Sequence, residues 1–289
     1  MQIEPFLDVA SRYRAVFFDS YGVLRVGDEV LPGVAEALAG LEEAKIPYWV
    51  LTNDASRGRA GVAAAFGGLI PTERFVSSGL MLVDYLRREP PPGLLAYLGP
   101  ARAEPLLDLA GCDYRALPEL ESLDGVAAVA LMDEEGFDWS RELNRVVNYA
   151  RRHPELQIYV PNPDLVYPTA EGVGLAAGAL AALLEAVLGR PCRAFGKPSA
   201  PIFEHALELA RAELGSLEPH EVLMVGDTLE TDVRGARSRA PSCSRATRFP
   251  APWLGRSRPA GSGPITSAPK SAPEGPPTLL SGPLPGPRG

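Results

Sequence analysis

Three apolar runs along the chain each end in polar groups: "AVFFDS" (15–20), "YWVLTN" (48–53) and "VLMVGD" (222–227). Unbroken apolar runs, rather than strict alternation, mark strands of a parallel sheet, because both of their faces are covered. Helical spacing fills about 32–44, 56–65 and 79–88, and a further short strand is expected at "RFVSS" (74–78). This alternation predicts right-handed β-α-β units around a parallel sheet, an α/β fold of Rossmann-like type. The proline cluster "EPPPGL" (89–94) then punctuates the chain. Beyond it come the candidate strands "LLAYLG", "VAAVALMD" and "LQIYVPN", with a helix near 139–152. From Phe195 the first style resumes, with a helix opened by "FGKPSAPIFEHAL" and a strand, acidic loop and helix in "HEVLMVGDTLETDVRGARSR". The outer segments, 1–90 and 191–240, are expected to form one discontinuous core domain. The middle unit, 91–190, is expected as an inserted α/β cap, hinged near Pro90–Pro92 and Arg190–Pro191.

The longest apolar stretch, "GVGLAAGALAALLEAVLG" (172–189), is rich in Ala and Gly and carries Glu185. A membrane span wants about 20 strongly apolar residues. The stretch instead reads as a tightly packed helix of a soluble protein, with Gly174 and Gly178 at helix-packing spacing. After Ala240 the pattern changes. Residues 241–289 hold 12 of the 30 prolines and one acid, Glu274, against six Arg or Lys, so no core can be built from them. This segment is expected to be a disordered Pro/Gly-rich tail. A reading-frame shift near residue 240 is the expected origin, and a codon choice for Pro241–Thr247 permits it, since dropping two bases then reads Val-Val-Leu-Ala-Gly-Asn. A genuine proline-rich tail is the alternative, and either way the sheet is expected to lack its usual edge strand.

The length of 289 residues, 46% of them apolar, suffices for a substantial core. The net charge of −8 argues against a nucleic-acid partner. Cys112, Cys192 and Cys243, an odd set without a C-x-x-C pair, fit a reduced compartment. The N-terminal stretch lacks the apolar core of a signal peptide. A cytoplasmic location without membrane contact is therefore expected.

Asp19 at a strand end, the Thr52–Asn53 pair, Lys197 in "FGKPS" and the acids Asp227 and Asp232 in "VGDTLETD" are each ordinary when taken singly. Such residues commonly cap helices or face solvent. Together they mean more, because the C-terminal strand ends of an open parallel sheet converge on one crevice. Acids, one lysine, a hydroxyl and helix N-termini assembled there suit Mg²⁺ and a phosphate group. His153, His205 and His220 are scattered and form no zinc site. Met81, Met132 and Met224 fall in apolar runs and are expected in the core.

The stretches "FFDSYGVL", "VLTNDASR", "FGKPSAPIFEHAL" and "MVGDTLETDVRGA" resemble, in order, the four motifs of haloacid-dehalogenase-superfamily phosphatases. The likeness is to the class with the larger α/β cap, which includes nucleotide and pyridoxal-phosphate phosphatases, and it spans roughly residues 13 to 240. It implies Mg²⁺-dependent hydrolysis of a small phosphomonoester through an aspartyl-phosphate on Asp19. Thr52 and Lys197 would hold phosphoryl oxygens, with Lys197 taking part in catalysis, and Asn53 would touch phosphate or nucleophile. Asp19, Asp227 and the backbone carbonyl of Tyr21 would ligate Mg²⁺, with Asp232 on the ion or directly behind it. Asn162 and Asp164 of the "NPD" turn, with the Gly172–Gly178 loop, would lie where cap meets core. A homodimer through the cap is the implied assembly.

Tyr21 departs from the family's usual D-x-D pattern, whose second acid protonates the leaving group and then activates water. An aromatic residue here marks a subtype of this class. A phenol titrates near pH 10, so it can donate a proton but is a poor base near neutrality. The expected consequence is slow or specialised turnover, since acid–base help is typically worth about 10²–10⁴ in rate. The alternative is a catalytically weak phosphometabolite-binding or regulatory protein. A dinucleotide site is disfavoured, because no G-x-G-x-x-G follows the first strand.

Overall fold

The structure is a computed structural model, and it describes residues 5–27, 29–169, 172–228, 231–232 and 246–247. The strands are β1 (Ala15–Asp19), β2 (Arg25–Val26), β3 (Glu29–Val30), β4 (Tyr48–Thr52), β5 (Phe75–Ser77), β6 (Leu94–Leu98) and β7 (Tyr114–Ala116). They continue with β8 (Val126–Leu131), β9 (Gln157–Val160), β10 (Val166–Thr169), β11 (Gly172–Leu175), β12 (Arg193–Ala194), β13 (Val222–Val225) and β14 (Ala246–Thr247). The helices are α1 (Phe6–Ala10), α2 (Val34–Glu43), α3 (Arg59–Ala64), α4 (Ser78–Arg88), α5 (Glu104–Leu107), α6 (Trp139–Arg152), α7 (Ala177–Leu188) and α8 (Ala200–Leu214).

Two five-stranded sheets result, ordered β14-β13-β1-β4-β5 and β12-β9-β8-β6-β7, and every pairing within them is parallel. Both faces of each sheet are covered, which explains the unbroken apolar runs. One face of the first sheet (Val16, Phe18, Val50, Phe75) packs on α1, α2 and α3. Its other face (Phe17, Trp49, Leu51, Val76) meets α4 and α8. Leu95, Tyr97, Ala128 and Tyr159 of the second sheet join that same cluster, together with Leu106 of α5. The far face of the second sheet buries Leu98, Val129 and Leu131 under α6 and α7.

Local chemistry sets several helix ends. Ser77 caps α4 by accepting from the Leu80 N–H, and Asp138 caps α6 by accepting from the Arg141 N–H at 2.9 Å. Arg87 and Arg88 close α4, and Arg151 and Arg152 close α6, where cations suit the helix dipole.

Four expectations differ from the structure. Residues 172–175 are strand β11 in an antiparallel hairpin with β10, and the helix begins only at Ala177. Gly174 and Gly178 therefore do not share a helix. Gly174 is where the Tyr167 ring crosses the hairpin, and a Cβ there would lie 2.6 Å from that ring. β12 pairs with β9, so the chain leaves the second sheet after Ala194, four residues beyond the expected boundary. The apolar layer shared by the two sheets opposes free hinging between them, since relative motion is the default only where an interface is small or polar. Finally, the first sheet has an edge strand after residue 240: Ala246–Thr247 pairs with Met224–Val225. The edge of β13 offers backbone groups that any adjoining segment can satisfy, whatever its side chains. The rest of the expected tail lies outside the described residues.

Candidate active site

Because β1 lies between β13 and β4, their C-terminal ends bring Asp19, Thr52 and the loop after Val225 together. The ligand-competent oxygens of Asp19, Asp227 and Asp232 all lie within 4.8 Å of one another. Gly22 makes this approach possible. Its φ of +79° turns the chain after Tyr21, and a Cβ there would stand 2.0 Å from Asp227 Oδ2. Gly226 serves Asp232 likewise, since its Cβ would fall 2.3 Å from Asp232 Oδ2.

Lys197, only 2% exposed, donates from Nζ to Asp19 Oδ1 at 2.5 Å and to Asp232 Oδ1 at 2.7 Å. The Thr228 N–H donates to Asp232 Oδ2 at 3.1 Å, so both oxygens of this fully buried carboxylate have partners. Three carboxyls around one ammonium leave negative charge in excess. Burial, offset in part by Lys197 and reinforced by Asp232 and Asp227, pushes the Asp19 carboxyl up to about 8. Burial also raises Asp227. Burial works against the Lys197 ammonium, but Asp19 and Asp232 outweigh it and hold its pKa above the ordinary lysine value.

Asn53 lines the cavity and also engages the Lys197 backbone. Its Oδ1 accepts from the Lys197 N–H at 2.7 Å, and its Nδ2 donates to the Lys197 carbonyl at 3.1 Å and to Asp164 Oδ1 at 2.9 Å. The amide thus clamps the lysine backbone and ties it to the "NPD" turn. Within that turn the Asp164 N–H donates to Asn162 Oδ1 at 3.0 Å. Thr52 is buried at the end of β4, and its Oγ1 accepts from the Asp54 N–H at 3.2 Å.

Tyr21 is half-buried. The Arg25 guanidinium lies 5.1 Å from its ring centroid and 5.8 Å from that of Phe66, and Arg25 Nε donates to the Gly27 carbonyl at 2.9 Å. All nine residues singled out in the sequence except Asp232 line one cavity of about 570 Å³, and Asp232 sits directly behind it. The C-terminal ends of both sheets open on this cavity. β8 sends Asp133, Glu134 and Glu135 into its lining, and the loop after β6 sends Arg102. Tyr167 of the hairpin lines it too. These residues went unnoticed in the sequence, although "ALMDEE" is another apolar run ending in acids. None of the three histidines lines the cavity: His153 ends α6, His205 lies in α8 and His220 in the turn before β13. Met81, Met132 and Met224 are core residues.

Comparison with known proteins agrees with this geometry. Residues 16–113 match the model of haloacid dehalogenase-like hydrolases, and residues 194–239 match a second, HAD-hydrolase-like model. Human chronophin is 32% identical over 241 residues, which cover 78% of each chain. A solved structure from Cytophaga hutchinsonii, a possible sugar phosphatase of the HAD superfamily, superposes with a TM-score of 0.76 at 33% identity. The match covers 82% of this chain and 86% of that one. The glycerol phosphate phosphatase of Mycobacterium tuberculosis, solved with magnesium, shares the fold at 23% identity and a TM-score of 0.64, over 80% of this chain and 67% of that one. Among the described residues no helix is long and apolar enough to cross a membrane.

Proposed function

The chain belongs to the haloacid dehalogenase-like hydrolase family, and from that premise we propose that it is a Mg²⁺-dependent phosphatase of a small phosphomonoester (a nucleotide, sugar or cofactor phosphate). The observation that carries this reading is the junction of Asp19, Lys197, Asp227 and Asp232 at the ends of adjacent parallel strands. The phosphatases among its relatives, and the magnesium in one structure of the same fold, support it.

The donor set fits Mg²⁺. All the candidate ligand atoms are hard oxygens, and the burial and mutual repulsion that lift Asp19 and Asp227 are what a dication relieves. Asp19, Asp227 and the Tyr21 carbonyl would hold it. Asp232, with both oxygens already engaged, acts from behind by fixing Lys197 and the Thr228 backbone. When bound, the ion offsets phosphoryl charge and aligns the phosphate with the nucleophile.

The chain's own groups do the rest. Asp19 attacks phosphorus, a P–O bond to Asp19 forms, and the ester P–O bond breaks. Lys197 and the Thr52 hydroxyl stabilise charge on the phosphoryl oxygens. Asn53 acts as a positioning residue that keeps the Lys197 backbone in register. The departing alkoxide takes a proton, for which the Tyr21 phenol is the donor at the position of the missing acid. Water then attacks phosphorus, the P–O bond to Asp19 breaks to release phosphate and free the carboxylate, and the water proton passes to the Tyr21 phenolate, a cycle slower than a carboxylate poised near neutrality would give. The middle unit roofs the site as a cap. The exposed apolar hairpin residues Leu165, Val173 and Leu175 suit pairing with a second copy through it. A cytoplasmic location goes with this reading, since Cys112 and Cys192 are free thiols.

One observation favours the second reading, a phosphometabolite-binding or regulatory protein: Tyr21 is held under Arg25 where an acid–base carboxylate would stand. Acid quenching of the protein with Mg²⁺ and a radiolabelled phosphomonoester decides between them. Label on Asp19 that turns over supports hydrolysis, and bound ligand without covalent label supports the regulatory reading.

A further inference from the structure

The cavity's cations are already committed. Lys197 is held by Asp19 and Asp232. Arg57 Nε lies 3.8 Å from Asp54 Oδ2. Arg25 donates to the Gly27 carbonyl and stacks on Tyr21. In the lining contributed by the second sheet, Arg102 Nη2 bridges Asp133 Oδ2 at 3.0 Å and Glu135 Oε2 at 2.9 Å. Arg102 Nε also reaches Ser56 Oγ at 3.4 Å, which fixes this wall to the loop after β4. Glu134 lines the same cavity and has no ion pair among the described residues. Two carboxyls, Asp133 and Glu135, thus hold one guanidinium, and Glu134 stands beside them in the lining.

We propose that Asp133 and Glu135, bridged by Arg102, form with the neighbouring Glu134 a selectivity wall that admits phosphomonoesters with hydroxylated leaving groups and turns away those bearing a second anionic group. The proposal rests on the phosphatase reading and names its substrate class: polyol or sugar monophosphates, rather than phosphorylated carboxylic acids or bisphosphates. A carboxylate or second phosphate placed against this wall would find no uncommitted cation and would meet like charge, which costs specificity heavily at short range. Hydroxyls carry no such penalty, and each can both donate and accept. Burial and the neighbouring Asp133 hold the Glu134 carboxyl up at about 7, so near neutrality it offers both a donor and an acceptor. Burial, then Glu134, Glu135 and Asp133, keep the Tyr167 phenol in its neutral form, a second hydroxyl partner at the cavity surface.

The test uses glycerol-3-phosphate and 3-phosphoglycerate, which differ only in a terminal hydroxymethyl against a carboxylate. The kcat/KM of the full chain with Mg²⁺ should favour glycerol-3-phosphate by on the order of tenfold or more. Glu135→Gln frees one side of Arg102, and Glu134→Gln removes a carboxyl. Each should shrink that ratio several-fold, Glu135→Gln the more. Thermal melts of Asp19→Asn protein with Mg²⁺ and either compound give the same comparison without turnover. Greater stabilisation by glycerol-3-phosphate supports the wall even if no variant hydrolyses anything, an outcome that would remove the hydrolase reading alone. A wild-type ratio near one, a ratio unmoved in both glutamine variants, or equal stabilisation of the Asp19→Asn protein would overturn the proposal.

Discussion

Lys197 Nζ stands 2.5 Å from Asp19 Oδ1, although the two residues are 178 positions apart and both are buried. This contact joins the first strand of the chain to the segment that re-enters the first sheet after the middle unit. It also places the one ammonium among the described residues of the cavity lining beside the proposed nucleophile.

Lys197→Ala should therefore damage stability as well as chemistry. It leaves Asp19 and Asp232 buried without their cation, a loss of about 3–5 kcal/mol by the usual cost of breaking a buried pair. Mg²⁺ should restore part of that loss by supplying charge at the same carboxylates. Denaturant melts with and without Mg²⁺ check this. A variant as stable as wild type in metal-free buffer would mean that the carboxyls take up protons at little cost.

Gly22→Ala is the sharpest probe of the acid cluster. The new methyl would meet Asp227 Oδ2 at 2.0 Å on a backbone of φ +79°. The strain is of order 1–3 kcal/mol, and Asp227 has to move aside. The Mg²⁺-induced rise in melting temperature should shrink sharply in this variant and vanish in Asp227→Ala. An unchanged rise in both would take Asp227 out of the metal site.

Why these strand ends were legible, and the roof was not, is a matter of periodicity. "AVFFD", "YWVLT" and "VLMV" announce themselves because a strand covered on both faces is apolar throughout, and Asp19, Thr52 and Asp227 follow directly. The β10–β11 hairpin hides, because Pro168 interrupts the first strand and the Gly/Ala-rich run through β11 merges into α7. The clamp that Asn53 makes is hidden for another reason. A side-chain amide beside a phosphate site suggests a ligand contact, and only the fold shows both of its ends spent on the Lys197 backbone and Asp164. Arg102 lies on a separate loop from Asp133 and Glu135, and no spacing in the chain foretells their meeting. Edge strand β14 carries no apolar signature, since backbone pairing alone defines it.

Glu134 gives stability a pH dependence of definite sign. Burial first, and the charge of Asp133 second, lift its carboxyl from 4.5 to about 7 in the folded protein. The fold thus retains a proton that the unfolded chain releases, so the contribution is full below about pH 4.5 and is lost as pH rises through about 7. The stability of wild type relative to Glu134→Gln should fall across that window, as read by denaturant melts at several pH values. Parallel curves would place Glu134 in ordinary solvent.

Tyr21→Asp should raise turnover if only the proton-transfer partner is missing. General acid–base help allows about 10²-fold or more. Against this stands the lost stack with Arg25, worth about 0.5–1 kcal/mol at a partly exposed site. The gain should grow as the leaving group becomes poorer, because poor leaving groups depend most on protonation. Rates for a series of aryl phosphates would show it. A uniform gain, or none alongside high wild-type activity, would mean that another group supplies the proton.

The central claim is that Asp19 is the nucleophile of a Mg²⁺-dependent phosphatase, and Asp19→Asn tests it most directly. The substitution keeps the shape of the side chain and removes its nucleophilic oxygen. Phosphate release from an aryl phosphate, measured with saturating Mg²⁺ on wild type and variant of equal folded content, should fall to background in Asp19→Asn. Wild-type release should also disappear when Mg²⁺ is chelated. Release by the variant at a rate near that of wild type would contradict the account.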